Sequence, residues 1–231
     1  MNRPFSYTKK KKNYRKTIII ILAVLLILAG IIIAFYPYFM QGIFDSRQKN
    51  LMDDWLSKKK EYVAESPPVS DYEDGGEAIV SDEIFEEDIN AFFDYDYALN
   101  RMNGILRIPD INLKSPILVG DTKENLNVGV CEVKGSVKAG EAGNYILAGH
   151  YSRIYGRHFN RLKEVKPGTS IFVDSATGTY EYIVYEKIEK VDAKDTSVVP
   201  IGISESNITL ITCDYATGEP YGRVVVKGYL K

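Results

Sequence analysis

Ile208-Thr209-Leu210-Ile211-Thr212-Cys213 is an apolar run that stops at a cysteine, with Asp214 next. Four of its six residues are β-branched, the composition of a buried strand. Similar short runs precede and follow it: Gly104 to Pro109, Pro116 to Val119, Asn144 to Ala148, Ser170 to Val173 and Arg223 to Tyr229. Thr179 to Glu186 alternates, with Tyr180, Tyr182 and Val184 on one face and Glu181, Ile183 and Tyr185 on the other. Lys123 to Val130 and His158 to Val165 read as short helices between strands. Seven or eight short strands with few helices predict a mainly β domain, closed or sandwich-like, over residues 101–231.

Upstream the composition changes twice. Thr17 to Tyr36 (TIIIILAVLLILAGIIIAFY) is 20 residues without a charge. At about 1.5 Å per residue it spans a hydrocarbon core of about 30 Å. Seven Lys and Arg precede it, from Arg3 to Lys16, with no acid among them. The positive-inside rule therefore predicts a cytoplasmic segment 1–16, a single-pass anchor 17–39 and everything later outside the cell. A cleaved signal peptide has a shorter apolar region and a small-residue cleavage site; Phe35-Tyr36-Pro37-Tyr38 is bulky. Residues 40–65 carry Phe44, Leu51, Met52, Trp55, Leu56, Tyr62 and Val63 at roughly helical spacing, an amphipathic helix ended by Pro67-Pro68. Residues 66–100 hold eleven acids and no Lys or Arg, and read as an acidic spacer. Its aromatic part, Phe92 to Tyr97, could fold back to set Asp94 or Asp96 against Arg223.

The 231 residues carry a net charge of −2, but beyond residue 16 there are 22 basic and 31 acidic residues. No basic stripe marks the β region, so no nucleic-acid partner is expected. Two cysteines and two histidines exclude a disulfide-dense scaffold and a zinc cluster built on cysteines. Two histidines leave little room for a histidine-rich metal site, and no metal or other cofactor is expected.

The chemistry concentrates at strand ends. Cys213 closes its run, His150 closes Tyr145-Ile146-Leu147-Ala148-Gly149-His150, and Arg223 opens the last run. A thiolate nucleophile, an imidazole and a guanidinium together suit acyl transfer. The bland alternatives are a buried cysteine, His158 as a surface or helix-packing residue, and Cys131 as core among Val128, Val130 and Val133.

The stretch Thr209-Leu210-Ile211-Thr212-Cys213 resembles the active-site signature of sortases, membrane-anchored cysteine transpeptidases of Gram-positive bacteria. The resemblance extends to Gly104 to Ile117, Leu126 to Val130, Leu147 to His150 and Phe159 to Leu162. It also covers the order His150, Cys213, Arg223, with intervals of 63 and ten residues. It implies an eight-stranded sortase-type β-barrel with short helices, in which His150, Cys213 and Arg223 surround one groove. It further implies cleavage of an LPxTG-like sorting signal between Thr and Gly. The Thr carboxyl would then be joined to an amine of peptidoglycan precursor or of a pilin. The active thiolate–imidazolium form would be a minority at neutral pH. Val198, Val199, Ile201, Ile211 and Thr212 are carried over as substrate-binding residues. The short interval from His150 to Cys213 resembles class A or D. A hydrolase using the same nucleophile, or a catalytically silent membrane-tethered binding domain, are the alternatives.

Overall fold

The computed structural model describes residues 14–62, 93–192, 194–200, 202, 204–214 and 222–231. Ile201, residues 1–13 of the expected cytoplasmic segment, 63–65 of the expected amphipathic helix and 66–92 of the acidic region lie outside them. The chain divides into two units, Met1–Asp45 and Ser46–Lys231. A single helix, α1 (Tyr14–Tyr62), contributes to both. In the first unit its large apolar side chains from Ile18 to Phe39 are exposed on every side. A helix apolar all round needs an apolar solvent, and this one is long and apolar enough to cross a membrane. Pro37 sits inside α1, and membrane helices tolerate proline when the freed carbonyl finds another partner.

In the second unit, the end of α1 buries Leu51, Met52 and Trp55. Trp55 Nε1 donates to the Met102 carbonyl at 3.1 Å, and Gln48 Nε2 donates to the Val128 carbonyl at 2.7 Å. The acidic region is not all spacer. Its last residues form α2 (Tyr95–Arg101), started by Asp94, whose carboxylate accepts from the Tyr97 amide at 3.0 Å. Arg47 Nη2 donates to the Phe93 carbonyl at 2.9 Å and Tyr95 OH to Asp54 at 2.6 Å. Asp94 is thus a helix cap rather than a partner for Arg223. Helix α2 feeds the first strand, which runs in the same direction as the strand of Cys213, so its start and Cys213 lie at opposite barrel ends.

Eight strands close a barrel: β1 (Met102–Ile108), β2 (Leu113–Val119), β3 (Val130–Glu132), β4 (Gly143–Ala148), β5 (Ser170–Ser175), β6 (Thr179–Asp192), β7 (Ser206–Asp214) and β8 (Gly222–Leu230). Their order is β1-β2-β3-β4-β7-β8-β6-β5. The helix after β2, α3 (Lys123–Val128), is capped by Thr122. Alternation along each strand fills the barrel with Leu106, Ile108, Tyr145, Leu147, Ile171, Val173, Tyr182, Val184, Ile208, Leu210, Val224 and Val226. Tyr182 and Val184 lie inside and Tyr185 outside, as the alternation predicts. The expected helix over His158 to Val165 is instead a bridge at His158 and a 3₁₀ turn at Leu162–Glu164.

The last residue of β3 is a half-buried carboxylate, Glu132. Glu132 Oε1 accepts from Asn103 Nδ2 at 2.8 Å and from Tyr145 OH at 2.7 Å. Burial pushes its carboxyl above the ordinary range, against the pull of those two hydrogen bonds. Between the unfolded and the raised folded value, the folded chain holds a proton that the unfolded chain releases. Stability therefore falls as pH rises through that window. Glu132→Gln keeps the acceptor and removes the charge. It is expected to melt higher than wild type at pH 7, with the advantage shrinking toward pH 4, as read by thermal unfolding across pH.

Candidate active site

Strands β4 and β7 are parallel and matched from Gly143↔Ser206 to Ala148↔Ile211. The Gly149 amide continues the pairing, donating to the Ile211 carbonyl at 3.0 Å. Two residues past the last matched pair, His150 and Cys213 are carried to the same level. On the other side of β7, antiparallel β8 sets Arg223 opposite Cys213. Opposite residues in a ladder share a face, and Arg223 Nη1 donates to Cys213 Sγ at 3.3 Å. His150 is fully buried, and Cys213 and Arg223 are each 5% exposed. A guanidinium that close, away from bulk water, stabilises negative charge on sulfur more than a neutral thiol.

The same alternation sorts the residues expected to bind substrate. Ile211 shares the outward face of Cys213. Thr212 does not: it falls on the inward face with Ile208 and Leu210, opposite Val224, and is fully buried. Val198 and Val199 lie in the β6–β7 connection, in and just after a 3₁₀ turn (Thr196–Val198) capped by Asp195. Val199 is buried and Val198 half-buried. That connection is tied to the sheet at Pro200, whose carbonyl accepts from Asn144 Nδ2 at 3.0 Å. Asn144 Oδ1 accepts in turn from Thr209 Oγ1 at 2.9 Å.

His150 opens a strapped loop. The Phe159 amide donates to the His150 carbonyl at 3.0 Å, and Tyr151 and His158 form a β-bridge. Asn160 Nδ2 donates to the Ser152 carbonyl at 2.6 Å, and its Oδ1 accepts from the Gly156 amide at 3.1 Å. Phe159 anchors the loop in the core. A Cβ on Gly149 would meet the Phe159 ring at 2.7 Å, so only glycine fits before His150. His158, expected at the surface or on a helix, is buried. Its ring centroid lies 6.0 Å from that of His150, the planes at 70°. Burial holds His158 well below the ordinary imidazole range, and the charges of Arg157 and His150 push the same way.

A second charge pair sits behind the cysteine. Asp214, turned inward and buried, is ion-paired with Lys163 Nζ from the Leu162–Glu164 turn. Lys187 Nζ donates to the Lys163 carbonyl at 2.5 Å. The sequence reading missed this pair; its signal was a carboxylate in an apolar strand, which is seldom buried without a counter-charge.

A sulfur beside a guanidinium, with an imidazole carried to its level by the neighbouring strand, is equipped for nucleophilic acyl transfer. Comparison with known proteins points the same way. The sortase domain family model matches residues 106–231. The chain is 31% identical over 135 residues to sortase A of Listeria monocytogenes, covering 58% of this chain and 59% of that protein. It is 34% identical over 112 residues to sortase D of Bacillus subtilis, covering 48% and 54%. It thus spans little more than half the length of these curated relatives. The solved structure of a Clostridium perfringens sortase D5 transpeptidase superposes with a TM-score of 0.56 at 20% identity, covering 80% of this chain and 99% of that one. At that identity the likeness concerns the fold.

The Lys163–Asp214 pair yields a stability test. Lys163→Met strands a buried carboxylate and is expected to cost about 3 kcal/mol. Adding Asp214→Asn should return part of that loss, giving a coupling of about 1 kcal/mol or more in a denaturant double-mutant cycle.

Proposed function

The chain belongs to the sortase family, and from that premise we propose that it is a membrane-tethered cysteine transpeptidase that attaches proteins to the cell surface. The observation that carries the reading is the 3.3 Å contact from Arg223 Nη1 to Cys213 Sγ, at strand ends whose register also delivers His150. Cys213 attacks the carbonyl of the Thr in an LPxTG-like signal. The Thr–Gly amide bond breaks, and the Gly nitrogen leaves with a proton from His150. The Thr acyl group stays on sulfur as a thioester. An incoming amine attacks it and gives a proton to His150, and the Cys213 thiolate departs. Arg223 stabilises the thiolate and the oxyanion formed in each half-reaction. Ile211, Val198, Val199 and Ile201 bind the apolar part of the signal. The acceptor amine belongs to a peptidoglycan precursor or a pilin subunit.

The anchor supports a single-pass arrangement, with residues 1–16 in the cytoplasm and the barrel outside. The hydrogen bond from Trp55 Nε1 to the Met102 carbonyl of β1 supports counting the end of α1 with the catalytic unit.

The test uses the full chain in detergent micelles, a fluorogenic LPxTG peptide and an added amine. With amine, the ligated peptide is expected; without it, slow hydrolysis between Thr and Gly. Cys213→Ala should abolish both, and Arg223→Lys should lower kcat/KM by about 10²–10³. Hydrolysis unaltered by any amine would instead identify a peptidase. Unimpaired surface attachment in cells carrying Cys213→Ala would identify a binding domain.

A further inference from the structure

Beside His150 stands a second imidazole to which the transpeptidation steps give no task. His158 has φ of 48°, the left-handed region, which costs an ordinary L-residue about 1–2 kcal/mol. Non-glycine residues there are uncommon, with Asn, Asp and His the most tolerant. Such strain persists only where the surroundings impose it, and it clusters at functional sites. Here the imposing elements are explicit: the Tyr151–His158 bridge, the Phe159 amide on the His150 carbonyl, and Phe159 locked in the core. Together they turn the His158 ring against His150, edge to face at 6.0 Å and 70°.

We propose that His158 is a positioning residue: its ring is the wall that fixes the imidazole of His150 in the orientation needed to exchange protons with the leaving and entering amines. The inference rests on the assignment of His150 as the acid–base group. Removing such a wall frees one side of the buried imidazole, and a displacement of about 1 Å at a proton-transfer group costs up to about 10²-fold in rate. The wall must also be uncharged, since a second cation would oppose the imidazolium that His150 becomes. Burial and the charge of neighbouring Arg157 keep His158 neutral. Histidine meets both demands at this backbone position, as a flat ring that tolerates a positive φ.

Two substitutions separate ring from backbone. His158→Asn keeps the most tolerant residue type at a positive φ and removes the ring. His158→Phe keeps a flat ring and removes the nitrogens. In full-length protein, His158→Asn is expected to lower kcat about 10- to 100-fold with KM unchanged and a cooperative unfolding transition retained, and His158→Phe to keep most of the rate. The chain has two histidines, so in either variant a ¹³C-histidine label reports His150 alone. Its ring signals should be those of one rotamer in His158→Phe and averaged in His158→Asn. Wild-type kcat in His158→Asn, or equal loss in both variants, would overturn the proposal. So would an unchanged His150 spectrum in His158→Asn, and that arm decides even if the wild-type protein joins no peptide to any amine, an outcome that would count against the proposed function alone.

Discussion

Slip β7 by one residue against β4 and β8, and Cys213 turns into the barrel while Thr212 turns out. The register of β7 is therefore the constraint on which the site depends. It is fixed by what lies on the inner face: Ile208 and Leu210 pack with Leu147, Val224 and Val226. A slip would exchange that entire set for the residues of the outer face. The core thus stabilises the fold and also aims the nucleophile. The same register sets the Arg223 guanidinium on the sulfur and brings His150 level with it from a parallel neighbour. No long side chain has to search for its partner. Cys213 and Arg223 are held by a backbone ladder and His150 by the residue that follows one, a stiffer support than the loops on which catalytic residues often sit.

Charge at this end of the barrel is arranged in pairs of opposite purpose. Arg223 faces outward on Cys213, where negative charge forms. Asp214, the next residue, faces inward and is neutralised by Lys163. Left alone, that carboxylate would sit one residue from the nucleophile in a medium of low polarity and would oppose a thiolate. Its ion pair also fastens the end of β7 to the turn that follows the His150 loop, so one contact serves both strand and loop. His158 belongs to the same economy as a ring that packs against the imidazole without adding charge.

Much of this was legible in the sequence because strands write their faces in alternate residues. Thr179 to Val184 reads correctly, and so do the runs ending at Ala148 and Cys213. β3 was not legible, since three residues cannot display a period. The end of the acidic region reads as spacer by composition, whereas Phe93 is buried and Asp94 caps α2, a local arrangement that composition does not display. Thr212 was carried over from the resemblance with the groove residues; it faces inward because neighbours in a strand face opposite ways. His158 was hidden for another reason. Its contact with His150 is created by closure of a loop, through a bridge and a left-handed residue, and neither follows any periodicity. Asn160 and Phe159 were the visible traces of that closure.

The central claim is that Cys213 accepts an acyl group from a sorting signal. The direct measurement is the intact mass of the full-length protein, mixed with an LPxTG peptide and quenched in acid within seconds. The account predicts a mass gain equal to the peptide fragment ending in Thr less one water, carried on the tryptic fragment that contains Cys213. A protein that gains no mass, or that carries the fragment on Cys131 or any other residue, would contradict it.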